Sequence, residues 1–320
     1  MKIAIIRLSA LGDIIQTSAV LQFIKKNVEN AEIYWVCDEK FAKILENLPN
    51  LNSIIKIPLK DKKIAKSYQI LKEFSTKFDL ILDFQGLIKS AIVARILGKN
   101  TFGFDKFSLR ESFAANFYKD KIPCDYGENT IIRYLTLASK ALGFKFDENE
   151  ILNKQKCFST KPTNLKFANA KNVLIAPFAS EPSKCYDKFK QVINGLNAEK
   201  IYICHGNENE KKRAKLIAGG ANAEVLPSLS INEMISVVEN MNLVIGNDSA
   251  ITHLAWAQNV RSITLFGNRP SQRNAYKTPI NLVIDTGKKI DPKKIDKNDF
   301  CINEIPPEMV ILKANELLNG

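Results

Sequence analysis

The sequence is poor in histidine: His205 and His253 are the only two among 320 residues. Its six cysteines, Cys37, Cys124, Cys157, Cys185, Cys204 and Cys301, are scattered, and none is paired at a C-x-x-C spacing. A Cys/His zinc site is therefore disfavoured, and buried reduced thiols are the expected state. No apolar run is long enough to span a bilayer. The opening MKIAIIRL is a short apolar run followed by Ser, Gly and Asp, which does not make a signal peptide. A cytoplasmic address is expected. No G-x-G-x-x-G follows the first strand-like run, where Gly12 stands alone, so a dinucleotide fingerprint is unsupported. RNP, helix-turn-helix and zinc-finger patterns are absent too, and no nucleic-acid partner is expected.

Acidic residues are in deficit. There are 34 Asp and Glu against 46 Lys and Arg, a formal net charge of +12. Such an excess suits an encounter with anions, whether nucleic acid, a membrane surface or an acidic substrate. Scattered lysines are equally compatible with a solvated basic surface.

What the chain does contain is alternation. Residues 2–8 form an apolar, β-branched run of the kind buried on both faces of a parallel sheet. The loop SALGD follows, then IIQTSAVLQFIKK with Ile14, Val20, Leu21 and Ile24 at helical spacing. EIYWVC, SIIKI, FDLILD and TFGF read as further strands. DEKFAKILENL, with Asp38 as N-cap, residues 64–77 and LIKSAIVARIL read as helices. Periodicity weakens over residues 154–170, which include Pro162, and a linker is placed there. A second series then begins with NVLIAP and continues through KIYICHG, AEVLP, NLVIGN, SITLFGN and NLVID. Helices are read between them from about residues 187, 210, 230 and 251. A short amphipathic helix from about Pro307 ends the chain. Two successive βαβ series predict an α/β protein of two doubly wound domains, 1–160 and 161–320, with ligands beyond the carboxyl ends of the strands.

Four loops carry candidate chemistry. Asp13 closes the first loop, where it is either a helix cap or a carboxylate aimed at a ligand. GNDSAITH, residues 246–253, offers amides at a helix start and the hydroxyls of Ser249 and Thr252, which suit a diphosphate. The alternative is an ordinary turn with Asp248 as N-cap and His253 as a structural histidine. In FASEPSK, residues 178–184, Lys184 can neutralise a leaving diphosphate. Lys60 to Lys63, with Arg110, are a basic group suited either to an acidic acceptor or to solvent.

Together, RLSALGDIIQTSAVL, DFQGLIKSA, GFDKFSLRES, RAKLIAGG, EVLPSLS and GNDSAITHLAWA resemble the ADP-heptose:lipopolysaccharide heptosyltransferases, glycosyltransferase family 9. Within that family they are most similar to the type that adds the first heptose to Kdo-lipid A. The resemblance implies a GT-B fold, two Rossmann-like domains facing across a cleft, with a C-terminal helix that can return to the first. It implies an inverting transfer from ADP-heptose to Kdo-lipid A, without a metal or other cofactor, by a monomer at the cytoplasmic face of the inner membrane. Asp13 matches the family's base and Lys184 its diphosphate lysine. Asp248, Ser249, Ala250 and Ile251 match its sugar- and phosphate-binding loop, extended here by Thr252 and His253. Glu210 matches the ribose contact, Leu229 the adenine contact and Ser180 a phosphate hydroxyl. Ser9, Lys60, Lys63, Gln85 and Arg110 fall on the acceptor side. The sequence departs from the family at residues 248–250, where Asp-Ser-Ala replaces the common Asp-Thr-Gly, and at Lys60 and Lys63, where lysines provide point charges rather than guanidinium forks. A second-heptose transferase, another ADP- or UDP-sugar transferase and a non-catalytic nucleotide or lipid binder are the alternatives.

Overall fold

The protein, described from a computed structural model, is defined for residues 1–161, 165–167, 169–220 and 222–320. Pro162 of the expected linker lies outside the described residues. The chain divides into two units, Met1–Ser159 and Thr160–Gly320.

The first unit is built on β1 (Lys2–Ile6), β2 (Glu32–Asp38), β3 (Ser53–Ile57), β4 (Leu80–Asp83), β5 (Thr101–Phe104) and β6 (Asp120–Ile122). Every pairing is parallel, in the order β3-β2-β1-β4-β5-β6. The central strands read as unbroken apolar runs because helices cover both faces. Ile3, Ala4, Ile5 and Ile6 of β1 have no exposed surface. The single helix expected after β1 is two, Leu11–Ser18 and Val20–Asn27, joined at Ala19. The helix expected after β2 begins with a 3₁₀ turn, Glu39–Phe41, and Asp38 caps it by accepting the Lys40 N–H at 3.2 Å. The long helix Thr130–Leu142 lays Ile131, Leu135 and Ala138 into the core.

The second unit repeats the plan with β7 (Asn172–Ala176), β8 (Lys200–Ile203), β9 (Ala223–Val225), β10 (Leu243–Asn247), β11 (Ser262–Phe266) and β12 (Asn281–Asp285). The order is β12-β11-β10-β7-β8-β9, again all parallel. Counted within each unit, both sheets have the doubly wound order 3-2-1-4-5-6. In that order the chain reverses direction across the sheet between the first and fourth strands. The switch points are therefore β1/β4 and β7/β10. At the latter the backbones approach closely: a Cβ on Gly246 would lie 2.7 Å from the Ala176 carbonyl oxygen and 2.8 Å from its Cβ.

The C-terminal helix, Pro307–Asn319, packs on the helix Phe189–Gly195 and on β10 and β11. Val310, Ala314 and Leu318 belong to the second unit's core. Among the described residues no helix is long and apolar enough to cross a membrane.

Candidate functional site

In the first unit the loops after β1 and β4 are tied together. Gln85 Oε1 accepts the Leu8 and Ser9 N–H groups at 2.7 and 3.3 Å. Arg7, only 6% exposed, donates to the Phe84 carbonyl at 3.0 Å and forms an ion pair with Asp13 at 2.6 Å. Asp13 stands at the third position of its helix and accepts the Ala10 N–H at 3.2 Å. The two readings of Asp13 are thus not exclusive. The carboxylate closes the helix start while its side chain stays 43% exposed.

Below it, Asp83 is fully buried and anchors the β4 loop. It accepts from the Gln85 and Gly86 N–H groups and from the Ser90 and Tyr118 hydroxyls, at 2.9, 3.2, 2.8 and 2.7 Å. Burial pushes its carboxyl above the ordinary range against the pull of those donors.

Asp13, Ser9 and Gln85 are therefore gathered at one switch point. Lys60 and Lys63 follow β3, and Arg110 follows β5, each two strands from β1 along the same carboxyl edge. All three are exposed. Lys60 lies over the Phe41 ring, 4.3 Å from its centroid, and its N–H donates to Asp38 at 2.6 Å.

The second unit has a corresponding polar cluster at β7/β10. Asn247, fully buried, accepts the Tyr186 N–H at 3.1 Å and donates to the Pro177 carbonyl at 2.8 Å, joining the two loops. Lys184 Nζ lies 2.7 Å from Asp248 Oδ2, and His253 Nε2 lies 3.0 Å from Asp248 Oδ1. The Asn274 amide reaches the same carboxylate at 3.5 Å. Burial alone would raise the Asp248 carboxyl; Lys184 and His253 outweigh it and hold the group well below the usual carboxylate range. Asp248 is not the helix cap: that position is taken by Ser249, ahead of the helix Ala250–Ala257.

Thr252 departs from the expectation that its hydroxyl serves a ligand. It is 1% exposed and donates inward, to the Asn247 and Ser249 carbonyls at 2.9 and 3.0 Å, because a hydroxyl at the third helical position folds back on the turn. Among the described residues the buried hydroxyls of Ser249 and Ser183 have no hydrogen-bond partner. They flank Asp248 and Lys184 in sequence, and Ser180 is exposed in the same loop. The first-turn amides of the helix, including those of Ala250 and Ile251, have no acceptor within it.

The remaining nucleotide residues fan outward. Glu210 follows β8 and accepts the Gly206 N–H at 2.6 Å. Its helix, Glu208–Ala218, begins two residues earlier than the sequence suggests because Asn207 caps it. Leu229 lies half-buried in the loop after β9.

Sequence reasoning passed over Arg7, Asp83, Asn247, Asn274 and the pair Glu181–Arg269, whose charged atoms stand 2.8 Å apart. A signal existed for Arg7, a charge inside an otherwise apolar strand. None existed for Asn274, which reaches Asp248 only through the fold.

Two doubly wound sheets in one chain, each with a polar cluster at its switch point, define the GT-B class of glycosyltransferase. The profile of "Glycosyltransferase family 9 (heptosyltransferase)" matches residues 67–299. A lipopolysaccharide heptosyltransferase 1 from Campylobacter coli is 48% identical over 99% of both chains. One from Pseudomonas aeruginosa is 27% identical over 86% of this chain and 81% of its own. The fold is that of the E. coli heptosyltransferase WaaC with ADP, at a TM-score of 0.81 and 21% identity, covering 99% of this chain and 100% of that one. A family 9 glycosyltransferase from Veillonella parvula superposes at 0.84, with 17% identity, covering 99% and 97%. The chain belongs to glycosyltransferase family 9, the heptosyltransferases.

Proposed function

We propose that this glycosyltransferase moves L-glycero-D-manno-heptose from ADP-heptose to the Kdo of Kdo-lipid A, the first heptose of the lipopolysaccharide inner core, with inversion and without a metal. One observation supports the donor half above all. Asp248 follows β10, Lys184 follows β7, Glu210 follows β8 and Leu229 follows β9, four adjacent strands in the order sugar, diphosphate, ribose, base. Three strand spacings are roughly 14 Å, a span suited to an extended nucleotide-sugar. The 48% identical relative bears the name lipopolysaccharide heptosyltransferase 1, which supports the acceptor.

In this reading the Kdo hydroxyl attacks the anomeric carbon and its proton passes to Asp13. The anomeric C–O bond breaks and its electron pair leaves with ADP. Lys184, the hydroxyls of Ser180, Ser183 and Ser249 and the helix-start amides meet the charge that grows on the diphosphate. Asp248, held by Lys184 and His253, orients heptose hydroxyls. Gln85, Ser9, Lys60, Lys63 and Arg110 receive the acidic acceptor. The protein acts as a monomer at the cytoplasmic face of the inner membrane.

Incubation with ADP-heptose and Kdo-lipid A, followed by mass analysis, should show one added heptose and release of ADP. Transfer only to an acceptor already carrying one heptose would assign the second-heptose type instead. ADP binding without turnover on either acceptor would make the chain a binder.

A further inference from the structure

The carboxyl edge of the first sheet carries apolar side chains that packing does not explain. Ile64 is 69% exposed, Tyr68 48%, Phe107 74% and Phe113 60%. Isolated exposed hydrophobics are ordinary, but these lie in two groups flanking Asp13. Ile64 and Tyr68 are four residues apart, on one face of the helix Ile64–Glu73 that follows β3. Phe107 and Phe113 belong to the segment after β5, the latter in the 3₁₀ helix Ser112–Phe117. In the strand order, β3 and β5 are four spacings apart, roughly 19 Å.

Basic residues are interleaved with them. Lys60, Lys62, Lys63 and Lys66 surround the first group, and Lys106 and Arg110 the second, all exposed. Lys62 and Lys66 make no ion pair among the described residues. Lys106 lies 4.9 Å above the Phe107 ring. Of the acidic residues at this edge, Asp61, Asp105 and Glu111 are engaged within the protein, whereas Glu39, in the turn after β2, is exposed. Asp61 pairs with Lys40 at 2.5 Å. Asp105 accepts the Phe107 and Ser108 N–H groups at 3.1 and 2.8 Å, fixing the turn that presents Phe107. Glu111 accepts the Ile88 N–H at 2.9 Å.

We infer that this edge docks on an anionic lipid surface, with Phe107, Phe113, Ile64 and Tyr68 entering the interface and the lysines meeting the headgroups. Charge complementarity selects this occupant. Two small apolar groups interleaved with long cationic side chains suit a laterally continuous negative interface, whereas a protein partner would be met by one contiguous apolar patch. The inference rests on the proposed acceptor in one respect: it brings the Asp13 loop to the plane in which a lipid-linked sugar lies.

The test is flotation of the full-length protein with vesicles containing no acceptor, made of phosphatidylcholine alone or with phosphatidylglycerol. Binding is expected only with the anionic lipid and should fall with salt. A triple variant, Lys62→Gln, Lys66→Gln and Lys106→Gln, and separately Phe107→Ser with Phe113→Ser, should each weaken vesicle binding roughly tenfold or more. Thermal unfolding and turnover on a delipidated, water-soluble Kdo acceptor should be unchanged. Wild-type binding equal on both vesicles, or undiminished binding by both variants, overturns the inference. So does a concentration-dependent dimer abolished by the same variants, which would give the face to a second copy. Because the vesicles carry no acceptor, failure here is separate from failure of heptose transfer.

Discussion

At Asp13 the carboxylate is shared between the Arg7 guanidinium, 2.6 Å away, and the Ala10 N–H, 3.2 Å away, so it is aimed before any substrate arrives. The proposed base is thereby oriented, and its exposed edge remains free to take a proton. Replacing Asp13 by Asn keeps the side chain's shape and removes basicity, and its one amide oxygen can accept from only one of the two donors, Arg7 or Ala10. The expected result is a fall in kcat of roughly 100-fold or more with ADP affinity little changed; near-normal turnover would remove Asp13 from the chemistry. Lys184 and Asp248 invite a different measurement. Lys184→Ala should weaken ADP binding and slow transfer together, and unchanged values for both would take Lys184 out of the site. Asp248 titrates in the folded protein well below its unfolded value of about 3.9. Its pairing therefore stabilises the fold above that pH, and the contribution is lost as pH falls below about 5. Asp248→Asn should be less stable at neutral pH, because it leaves Lys184 largely buried without a counter-charge, and should lose stability less steeply from pH 5 downward. Equal slopes in urea titrations at pH 5 and pH 3.5 would contradict the assignment.

At the scale of elements, the strands were readable because parallel strands covered on both faces are uninterrupted apolar runs, as KIAII and NVLIA show. The strand β6 was not, since Asp120–Ile122 is three residues long, two of them charged. The helix expected across residues 14–26 breaks at Ala19, where apolar periodicity alone gives no sign of a boundary. For the site, loops at strand ends could be located from the chain, and the resemblance supplied their roles. Strand order could not be read from one sequence, and strand order is what puts Lys184 beside Asp248 and Gln85 beside Ser9. Gly246 shows how tightly that order is enforced. Gly246→Ala would set a methyl 2.7 Å from the Ala176 carbonyl oxygen, so β7 and β10 must separate. A loss of about 1–3 kcal/mol is expected in urea denaturation. Because the same two strands carry Lys184 and Asp248, ADP affinity should fall with it; stability within error of wild type would show that the strands yield freely.

For the whole molecule, the described apolar clusters keep to one unit each. Ala4, Ile6, Ile55, Ile81 and Leu97 belong to one, and Val173, Ile245, Ile263, Val310 and Leu318 to another. Each unit therefore has its own core to melt, and the proposed nucleotide contacts lie wholly on the second. A ligand stabilises only the folded form that binds it, by about 2.7 kcal/mol at a concentration 100 times its Kd. For a unit of this size that corresponds to a rise of about 5–10 °C in the melting temperature. ADP alone should therefore raise the unfolding transition of the second unit. Hydrogen exchange should show protection in residues 178–184, 206–210 and 246–253, with the Lys184→Ala variant losing most of it. Protection confined to residues 8–13 or 58–66 would move the nucleotide to the first unit and overturn the donor assignment, whatever the fate of the acceptor side.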